Sequence, residues 1–370
     1  MDRRIALRYV LDMQNNAPIA AQHVYDVAVI GMGPAGAQAA ISAWHQGRDV
    51  LVLDAGEVSQ RKGRAYWTKS VAIEDIPFVA PVTGPKLRAQ VQERLRSLAP
   101  KETGERGVTL RGAYVLEVAR SGKGFAIEAS TKPLKDGKIA AQETFLARTL
   151  VVATGFEDGW PEIEVDKAGR RMLERYRAVF RYAGNGNGWH LCIRCDGHLH
   201  YGQHFVLLGV GEEIYEAALG AQDFTSRLTI LTNGRPHGLP PEVARQAEQR
   251  DIRIDTRRIA RHIGRGALLQ GVVFDDGEEL LADGFLADEG LEPNTAFLEG
   301  FSLQRNADGL LRIGESGEAL RPDGTPEPGL YVAGDLVAGA RKLIGAAAAA
   351  GQDAGLAASD SLRRWHWPEN

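Results

Sequence analysis

The stretch DVAVIGMGPAG, residues 26–36, decides the fold of this chain. It joins a run of small and β-branched apolar residues, typical of a buried parallel strand, to the pattern Gly-x-Gly-x-x-Gly. Residues 37–46 have a helix-like composition, and a second apolar run, Asp49–Leu53, ends at Asp54. A strand, a glycine loop, a helix and a second strand in this order predict a βαβ unit.

The glycine loop of this unit has the residues that a bound dinucleotide needs. Gly31 allows the tight turn after the strand, Gly33 allows the backbone to approach a pyrophosphate, and Gly36 allows the helix to pack closely on the strand. The N-terminus of the helix then faces the phosphates, and Asp54 is placed for a ribose hydroxyl. A glycine-rich structural turn is the alternative, but the strand, helix and acid around the loop favour nucleotide binding.

A second copy of the same pattern begins beyond the middle of the chain. Phe205–Leu208 is an apolar run that enters Gly-Val-Gly at residues 209–211, and a second apolar run, Leu228–Leu231, follows a helix-like stretch. Such internal duplication predicts two nucleotide-binding units in one chain. We therefore predict an α/β fold with two Rossmann-like, three-layer ββα domains, the second inserted into the first.

The second copy departs from the pattern in ways that disfavour a bound dinucleotide. Ile214 takes the place of the third small residue and would push the helix away from the strand. Glu212 and Glu213 lie at the N-terminus of the helix, where a pyrophosphate requires neutral or positive neighbours. The second strand ends in Thr-Asn-Gly at residues 232–234, and Arg235 is the only nearby cation. An adenosine 2′-phosphate therefore has no evident counter-charge.

Both cysteines of the chain lie in one short stretch, CIRCDG at residues 192–197. Two thiols at this spacing can close a disulfide within one turn and reopen it, and Arg194 between them favours the thiolate. Asp196 follows at once and is placed to hand a proton to a leaving thiolate. With no other cysteine present, Cys192 and Cys195 predict a working thiol pair in a reducing compartment rather than a structural disulfide.

Length and charge limit the class of protein. A chain of 370 residues is expected to form two domains. A net charge of −4 argues against nucleic-acid binding, and no apolar run reaches the ~18 residues of a membrane span. We therefore expect a cytoplasmic protein with no nucleic-acid or membrane partner.

The chain resembles the low-molecular-weight thioredoxin reductases over nearly all of residues 25–360. The C-x-x-C-D-G motif at the start of the second domain separates this group from glutathione reductase-like enzymes, whose cysteines lie near the N-terminus. The matching motifs occur in the family's order, and they are GMGPAG at 31–36, VVATG at 151–155, CIRCDG at 192–197, LEPNT at 291–295 and YVAGD at 331–335.

The resemblance implies the cofactor FAD and the residues that hold it. The glycine loop would hold the pyrophosphate, Asp54 the adenosine ribose and Asp335 the ribityl chain, while the backbone around Lys342 and Leu343 would meet the flavin O2 edge. The full cofactor-binding set is Gly31, Gly33, Pro34, Ala35, Gly36, Asp54, Gly334, Asp335, Lys342 and Leu343. The expected parts of the chain are an N-terminal extension (1–24), a first FAD-binding segment (25–155), a CxxC-bearing, degenerate NAD(P)-type domain (156–282), a second FAD-binding segment (283–360) and a C-terminal tail (361–370).

The resemblance also implies roles for the catalytic residues. Cys195 would lie against the flavin ring and exchange electrons with it, Cys192 would attack the disulfide of a thioredoxin-like protein, and Asp196 would be the proton donor. Enzymes of this group are homodimers whose small domain rotates to present the dithiol to flavin and partner in turn. No metal ion is expected.

The sequence departs from the family where NADPH binds. The family pairs a G-x-G-x-x-A loop with a basic H-R-R stretch, whereas this chain has GVGEEI at 209–214 and Thr-Asn-Gly at 232–234. Both departures favour another donor, such as a ferredoxin, and resemble the NADPH-independent subgroup of ferredoxin-dependent or deep-branching flavin thioredoxin reductases. The stretch Arg170–Arg181 is either a candidate surface for a ferredoxin or a solvated helix face. A dithiol oxidase using oxygen and an ordinary NADPH-dependent reductase remain alternatives. Lys342, where the family has Gln, is either a cation near the flavin or a solvated side chain.

Other interpretations of single residues stay open. Cys192, Cys195 and two of the nearby histidines form a chemically sensible zinc site, but the spacing is tight and C-D-G favours redox chemistry. We expect the histidines to be surface or interface residues, with proton transfer to the dithiol by one of them as a second hypothesis. The histidines are His190, His198, His200 and His204.

Aromatic side chains are candidates for stacking on the flavin, which would block a nicotinamide. Trp365 and Trp367 near the C-terminus are one pair, and Tyr66 and Trp67 are another. A non-catalytic interaction module is the rival to an enzyme, and the retained redox residues argue against it.

Overall fold

The computed structural model describes most of the chain. The described residues are 23–56, 58, 72–102, 104–132, 141–161, 163, 181–182 and 188–363. The strands are β1 Val24–Ile30, β2 Val50–Asp54, β3 Ala72–Ile73, β4 Val82–Thr83, β5 Val108–Gly112, β6 Tyr114–Ser121, β7 Gly124–Ser130, β8 Gln142–Val152, β9 Phe156–Asp158, β10 Trp189–His190, β11 Phe205–Leu208, β12 Leu228–Leu231, β13 Ile252–Asp255, β14 Ile259–Arg265, β15 Leu268–Phe274, β16 Glu279–Leu281, β17 Gly284–Ala287, β18 Leu291–Pro293, β19 Glu318–Leu320 and β20 Pro326–Val332. The helices are α1 Pro34–His45, α2 Gly84–Arg96, α3 Ile193–Asp196, α4 Gly211–Ala221, α5 Pro241–Gln249 and α6 Ile344–Arg363, with 3₁₀ turns at Gly197–His200, Ala296–Leu298 and Gly334–Leu336.

The first sheet is built around β1, the strand that enters the glycine loop. Its order is β19–β20–β8–β1–β2–β5, and β1 pairs in parallel with β2 and β8. The side chains from Val27 to Ile30 are buried, as expected for a central strand covered on both faces. The antiparallel hairpin of β6 and β7 joins this sheet through the pairing of β7 with β8.

Helix α6 packs across α1 and brings the two segments of the first unit together. A Cβ at Gly351 in α6 would collide with the carbonyl oxygen of Ala35 in α1, so glycine alone permits this approach. A Cβ at Gly334 would lie 2.7 Å from the Cβ of Ala35. The chain after β20 is therefore held against the start of α1, where the glycine loop ends.

The second sheet has the order β10–β17–β11–β12–β13, and all its pairs are parallel. It lies in sequence between β8 and β20, which are neighbours in the first sheet. Helices α4 and α5 belong to this second unit, and β14, β15 and β16 form a separate antiparallel sheet. Two Rossmann-like units, one inserted into the other, confirm the predicted fold class. The domain limits near 155 and 282 stay predictions.

Element bounds differ little from those that the sequence predicts. β11 and β12 have the predicted bounds, whereas α1 begins at Pro34, three residues before the predicted start, because proline is favoured at the first helical position. The apolar run at 330–335 is a strand only to Val332 and continues as a 3₁₀ turn. Among the described residues, none of the helices has both the length and the apolar character needed to cross a membrane.

Candidate functional site

The first glycine loop is a tight turn that packs closely against neighbouring backbone. Gly31 has φ of +99°, and a Cβ there would lie 2.5 Å from the carbonyl oxygen of Ala153. A Cβ at Gly36 would collide with the carbonyl oxygen of Gly31. Within the described residues, Gly33 caps α1 without a side-chain hydrogen bond and the first turn of α1 has no acidic side chain. The helix N-terminus is therefore suited to an anion.

Asp54 at the end of β2 is bonded to the loop itself. Its Oδ2 accepts the N–H of Met32 at 3.0 Å, and its Oδ1 accepts the N–H of Gly56 at 2.9 Å. The Arg88 guanidinium of α2 lies 3.4 Å from Asp54 Oδ1 and lines the same cleft. No sequence motif pointed to Arg88, since only the fold brings α2 beside β2.

Another part of the cleft lining comes from the segment after β20, next to the start of α1. Asp335 lies in the 3₁₀ turn Gly334–Leu336, and both it and Leu343 line the cleft. Lys342 is not a solvated side chain. Its Nζ donates to the carbonyl oxygens of Asp335 at 2.7 Å and Val337 at 3.0 Å. The ammonium group thus stabilises the turn that carries Asp335 and remains at the wall of the cleft.

Cys192 and Cys195 form a disulfide, with their Cα atoms 5.3 Å apart. Cys192 precedes the short helix α3, and its carbonyl oxygen accepts the N–H groups of Cys195 and Asp196, each at 3.2 Å. The disulfide and Asp196 line the same cleft, of about 990 Å³, as the first glycine loop and Asp335. The structure therefore brings the predicted thiol pair, proton donor and nucleotide loop to one site.

Three side chains beneath the disulfide form a buried chain of hydrogen bonds. His190 Nδ1 lies 2.8 Å from Asp196 Oδ2, and His190 Nε2 lies 2.9 Å from His200 Nε2. His190 is 1% exposed and His200 is 2% exposed, so the expectation that these histidines lie at a surface was wrong. Burial lowers the pKa of His200, which therefore favours the neutral imidazole.

The other two histidines of this region lie elsewhere. His198 is half exposed at the mouth of the cleft, 3.8 Å from Glu74. His204 bonds to the carbonyl oxygen of Leu281 and the hydroxyl of Thr229. Since both cysteines are bonded to each other, their sulfurs are not placed as zinc ligands here. Within the described residues there is no group of three or more His, Cys, Asp or Glu side chains that could hold a metal ion.

The second glycine loop is covered by the protein's own backbone. The N–H of Gly211, at the start of α4, donates to the carbonyl oxygen of His237 at 2.8 Å. We call residues 232–239 the covering loop. Its Leu239 is buried in the core of the second unit, and its Arg235 forms a bidentate pair with Glu289 at 2.8 and 2.5 Å. The N–H group that would face a pyrophosphate is thus already bonded.

Acidic groups surround the same helix start. Burial, followed by the charge of Asp288, raises the pKa of Glu213 in the first turn of α4. Burial also raises the pKa of Asp288. Neither carboxyl offers a favourable neighbour to a phosphate.

Ile214 occupies the position predicted from the sequence. It is buried, and its Cδ1 would be 3.1 Å from a Cβ at Gly209, so it fills the space above the loop. The prediction that Arg235 is the only nearby cation was wrong. Arg258 packs against Gly234, because the turn between β13 and β14 returns the chain to the end of β12. Arg258 also lies 3.9 Å from Asp275.

Some of the candidate residues lie outside the described part of the chain. These are Tyr66, Trp67, Trp365, Trp367 and the stretch 170–180. Their proposed stacking and docking roles stay predictions.

A family model described as pyridine nucleotide-disulphide oxidoreductase matches residues 25–354. The chain belongs to this family. It is 27% identical over 360 residues to the alkyl hydroperoxide reductase F protein of Pseudomonas putida, a match that covers 95% of this chain and 60% of that relative. It is 26% identical over 347 residues to thioredoxin reductase of Aquifex aeolicus, covering 92% and 94% of the two chains.

The solved structures show the same fold. Thioredoxin reductase from Streptococcus pyogenes MGAS5005 aligns with a TM-score of 0.73 at 18% identity, and the match covers 92% of this chain and 99% of that one. The chain spans about 60% of the length of the curated relatives it matches first. Family membership makes this protein an oxidoreductase, and its relatives include proteins named as thioredoxin reductases.

FAD is the flavin cofactor of the family, and the cleft fits it. The close contacts beneath Gly31 and Gly36 leave the loop surface open to a pyrophosphate, with the α1 N-terminus behind it. Arg88 adds a cation at the same end. The cleft then runs past Asp335 and Lys342 to the disulfide. The second loop, with its covered N–H and acidic neighbours, does not fit a dinucleotide in the same way.

Proposed function

We propose that this protein reduces the disulfide of a thioredoxin-like protein through the Cys192–Cys195 pair. The strongest support is the shared cleft. The disulfide, Asp196 and the FAD-type glycine loop all line it. The thioredoxin reductase of Aquifex aeolicus, similar over nearly its whole length, supports the same substrate class. Bound FAD would supply the electron pair that opens the disulfide.

The residues of the chain have distinct tasks in this proposal. The Cys192 thiolate attacks one sulfur of the partner disulfide, the partner's sulfur–sulfur bond breaks, and the leaving thiolate takes a proton from Asp196. Cys195 then attacks Cys192, which reforms the Cys192–Cys195 disulfide and releases the second partner thiol. Gly31, Gly36, Asp54 and Arg88 would hold the cofactor.

A trapping experiment tests the substrate class. In a Cys195→Ser variant, the mixed disulfide between Cys192 and a thioredoxin cannot resolve, so a covalent complex is expected when reduced enzyme meets oxidised thioredoxin. The Cys192→Ser variant is the matched control and is expected to give no complex on gel electrophoresis without reductant. Equal trapping in both variants would contradict the assignment of Cys192.

The proposed electron donor is a reduced protein of the ferredoxin class rather than NADPH. The hydrogen bond from Gly211 to His237 supports this, since it occupies the backbone donor at the second loop. Glu212 and Glu213 in the first turn of α4 disfavour a pyrophosphate further.

An NADPH-dependent reductase is the second candidate, because Arg258 packs against Gly234 in the stretch after β12, where the family has its basic residues. If NADPH binds there, Arg258→Gln would raise the KM for NADPH about tenfold and leave the KM for NADH unchanged. If the donor is instead a ferredoxin, the Arg258→Gln substitution will change neither the rate of flavin reduction by NADPH nor that by NADH. Steady-state rates with the two nucleotides distinguish these candidates.

A further inference from the structure

The buried side chains next to the disulfide form a hydrogen-bond chain of four members. It runs from Asp196 to His190, then to His200, and ends at Gln203, whose Oε1 lies 2.8 Å from His200 Nδ1. Asp196 is 4% exposed, and both histidines are less exposed still. Each hydrogen bond in such a place needs one donor and one acceptor.

The proton positions follow from the Gln203 end. The carbonyl oxygen of the Gln203 amide accepts, so His200 Nδ1 carries a hydrogen. Because neutral His200 then has no hydrogen on Nε2, the hydrogen between the two rings belongs to His190 Nε2. A neutral His190 with its hydrogen on Nε2 presents an acceptor at Nδ1. The proton in the hydrogen bond between His190 Nδ1 and Asp196 Oδ2 then belongs to Asp196. The alternative is a His190 imidazolium facing an Asp196 carboxylate, and both forms hold one proton between the two side chains.

We propose that His190 is a positioning residue that keeps one proton on the Asp196–His190 pair, ready for the thiolate that leaves when a disulfide is exchanged at Cys192–Cys195. An aspartic acid in water has a pKa of about 3.9, so roughly one in a thousand carries a proton at pH 7. The hydrogen bond to His190 gives Asp196 a buried neighbour that can hold this proton. The inference deepens the proposed function and rests on it in one respect, which is that Cys192 and Cys195 exchange disulfides.

The environment supports a neutral His200, on which the proton order depends. Burial lowers the pKa of His200 and outweighs the Gln203 hydrogen bond, His190 lowers it as well, and the carboxylates of Asp196 and Asp283 raise it. The Phe205 ring of β11 lies 5.1 Å from the His200 ring and adds no charge. Among the described residues, the titratable groups that act most strongly on His200 are thus His190, Asp196 and Asp283.

The test follows reduction of the protein disulfide by dithiothreitol. A dithiothreitol thiolate bonds to one sulfur of the pair, the Cys192–Cys195 bond breaks, and the departing thiolate takes the proton of the Asp196–His190 pair. The second dithiothreitol thiol closes the reagent to its cyclic disulfide and releases the other cysteine, and the pair regains its proton from water. Rapid acid quenching, alkylation and mass measurement count the thiols of the FAD-loaded protein without an enzymatic assay.

The variant His190→Asn keeps a donor toward Asp196 but cannot titrate. We expect its rate constant per dithiothreitol thiolate to be about tenfold or more below that of wild type at pH 7.5, with the gap narrowing toward pH 5.5 as Asp196 acquires its own proton. His204→Asn is the matched control, since His204 also makes two hydrogen bonds but lies outside this chain, and it is expected to follow wild type.

A second pair of variants tests the same proposal if His190→Asn fails to fold. His200→Gln retains an acceptor for His190 Nε2 and is expected to react within about twofold of wild type, whereas His200→Leu removes the acceptor and is expected to lose about tenfold. Equal pH profiles in wild type, His190→Asn and His200→Leu would overturn the proton proposal alone. A wild-type disulfide that dithiothreitol does not reduce would instead remove the proposed function.

Discussion

At the scale of single residues, Gly36 and Ile214 hold equivalent positions in the two glycine loops and have opposite effects. Gly36 lets α1 approach the loop backbone, because a Cβ would collide with the carbonyl oxygen of Gly31. Ile214 fills the corresponding space with a buried side chain. Helix α1 therefore packs closely on its glycine loop, whereas a buried side chain lies between α4 and the second loop.

The Gly36 contact predicts the effect of one added methyl group. Gly36→Ala is expected to destabilise the protein by roughly 1–3 kcal/mol through overpacking and to lose most of its bound flavin. Gly345→Ala is the control, since nothing lies within 4 Å of a Cβ at this helical position. Thermal unfolding and the ratio of flavin to protein absorbance measure both effects. Full flavin content in Gly36→Ala would contradict the loop geometry.

The buried His200 predicts a pH dependence of stability. Because burial lowers its pKa, the unfolded chain binds the proton more readily, so the free energy of unfolding falls as pH falls below the ordinary histidine pKa of about 6.5. The slope from this residue is at most about 1.4 kcal/mol per pH unit. Urea unfolding at pH 7.5 and 5.5 should show a smaller loss in His200→Gln than in wild type. Replacing the exposed His198 with Gln should leave the loss of unfolding free energy between pH 7.5 and 5.5 the same as in wild type.

At the scale of elements, the covering loop at 232–239 determines what the start of α4 can bind. Arg235 and Glu289 fasten the loop at one end, and Leu239 anchors it in the core at the other. The N–H of Gly211 is bonded between these two anchors. The same helix start in a dinucleotide site would instead face phosphate.

The Arg235–Glu289 pair predicts the dynamics of this loop. Arg235→Gln is expected to speed hydrogen exchange of the Gly211 amide about tenfold, because the bidentate pair no longer opposes opening. Arg250→Gln serves as control, since Arg250 bonds Gln222 on the far end of α4 and is exposed. Exchange measured by NMR or by mass of peptides resolves the difference. An unprotected Gly211 amide in wild type would show that the loop does not cover the helix.

At the scale of the whole molecule, the sequence predicts what depends on neighbouring residues and misses what depends on distant ones. The two βαβ units and the exact bounds of β11 follow from local apolar runs and glycines. The approach of Arg258 to Gly234 and the contact of His190 with His200 exist only in the folded second unit, because these residues are distant in sequence. The homodimer stays a prediction, which sedimentation at micromolar concentration would check.

An anaerobic titration of the FAD-loaded protein, followed by flavin absorbance, tests directly whether the covering loop excludes a dinucleotide. We predict that chemically reduced ferredoxin bleaches the flavin band stoichiometrically, and that NADPH and NADH leave it unchanged over minutes. Rapid stoichiometric bleaching by NADPH would contradict the proposed donor, because it would show that the covering loop does not exclude a dinucleotide.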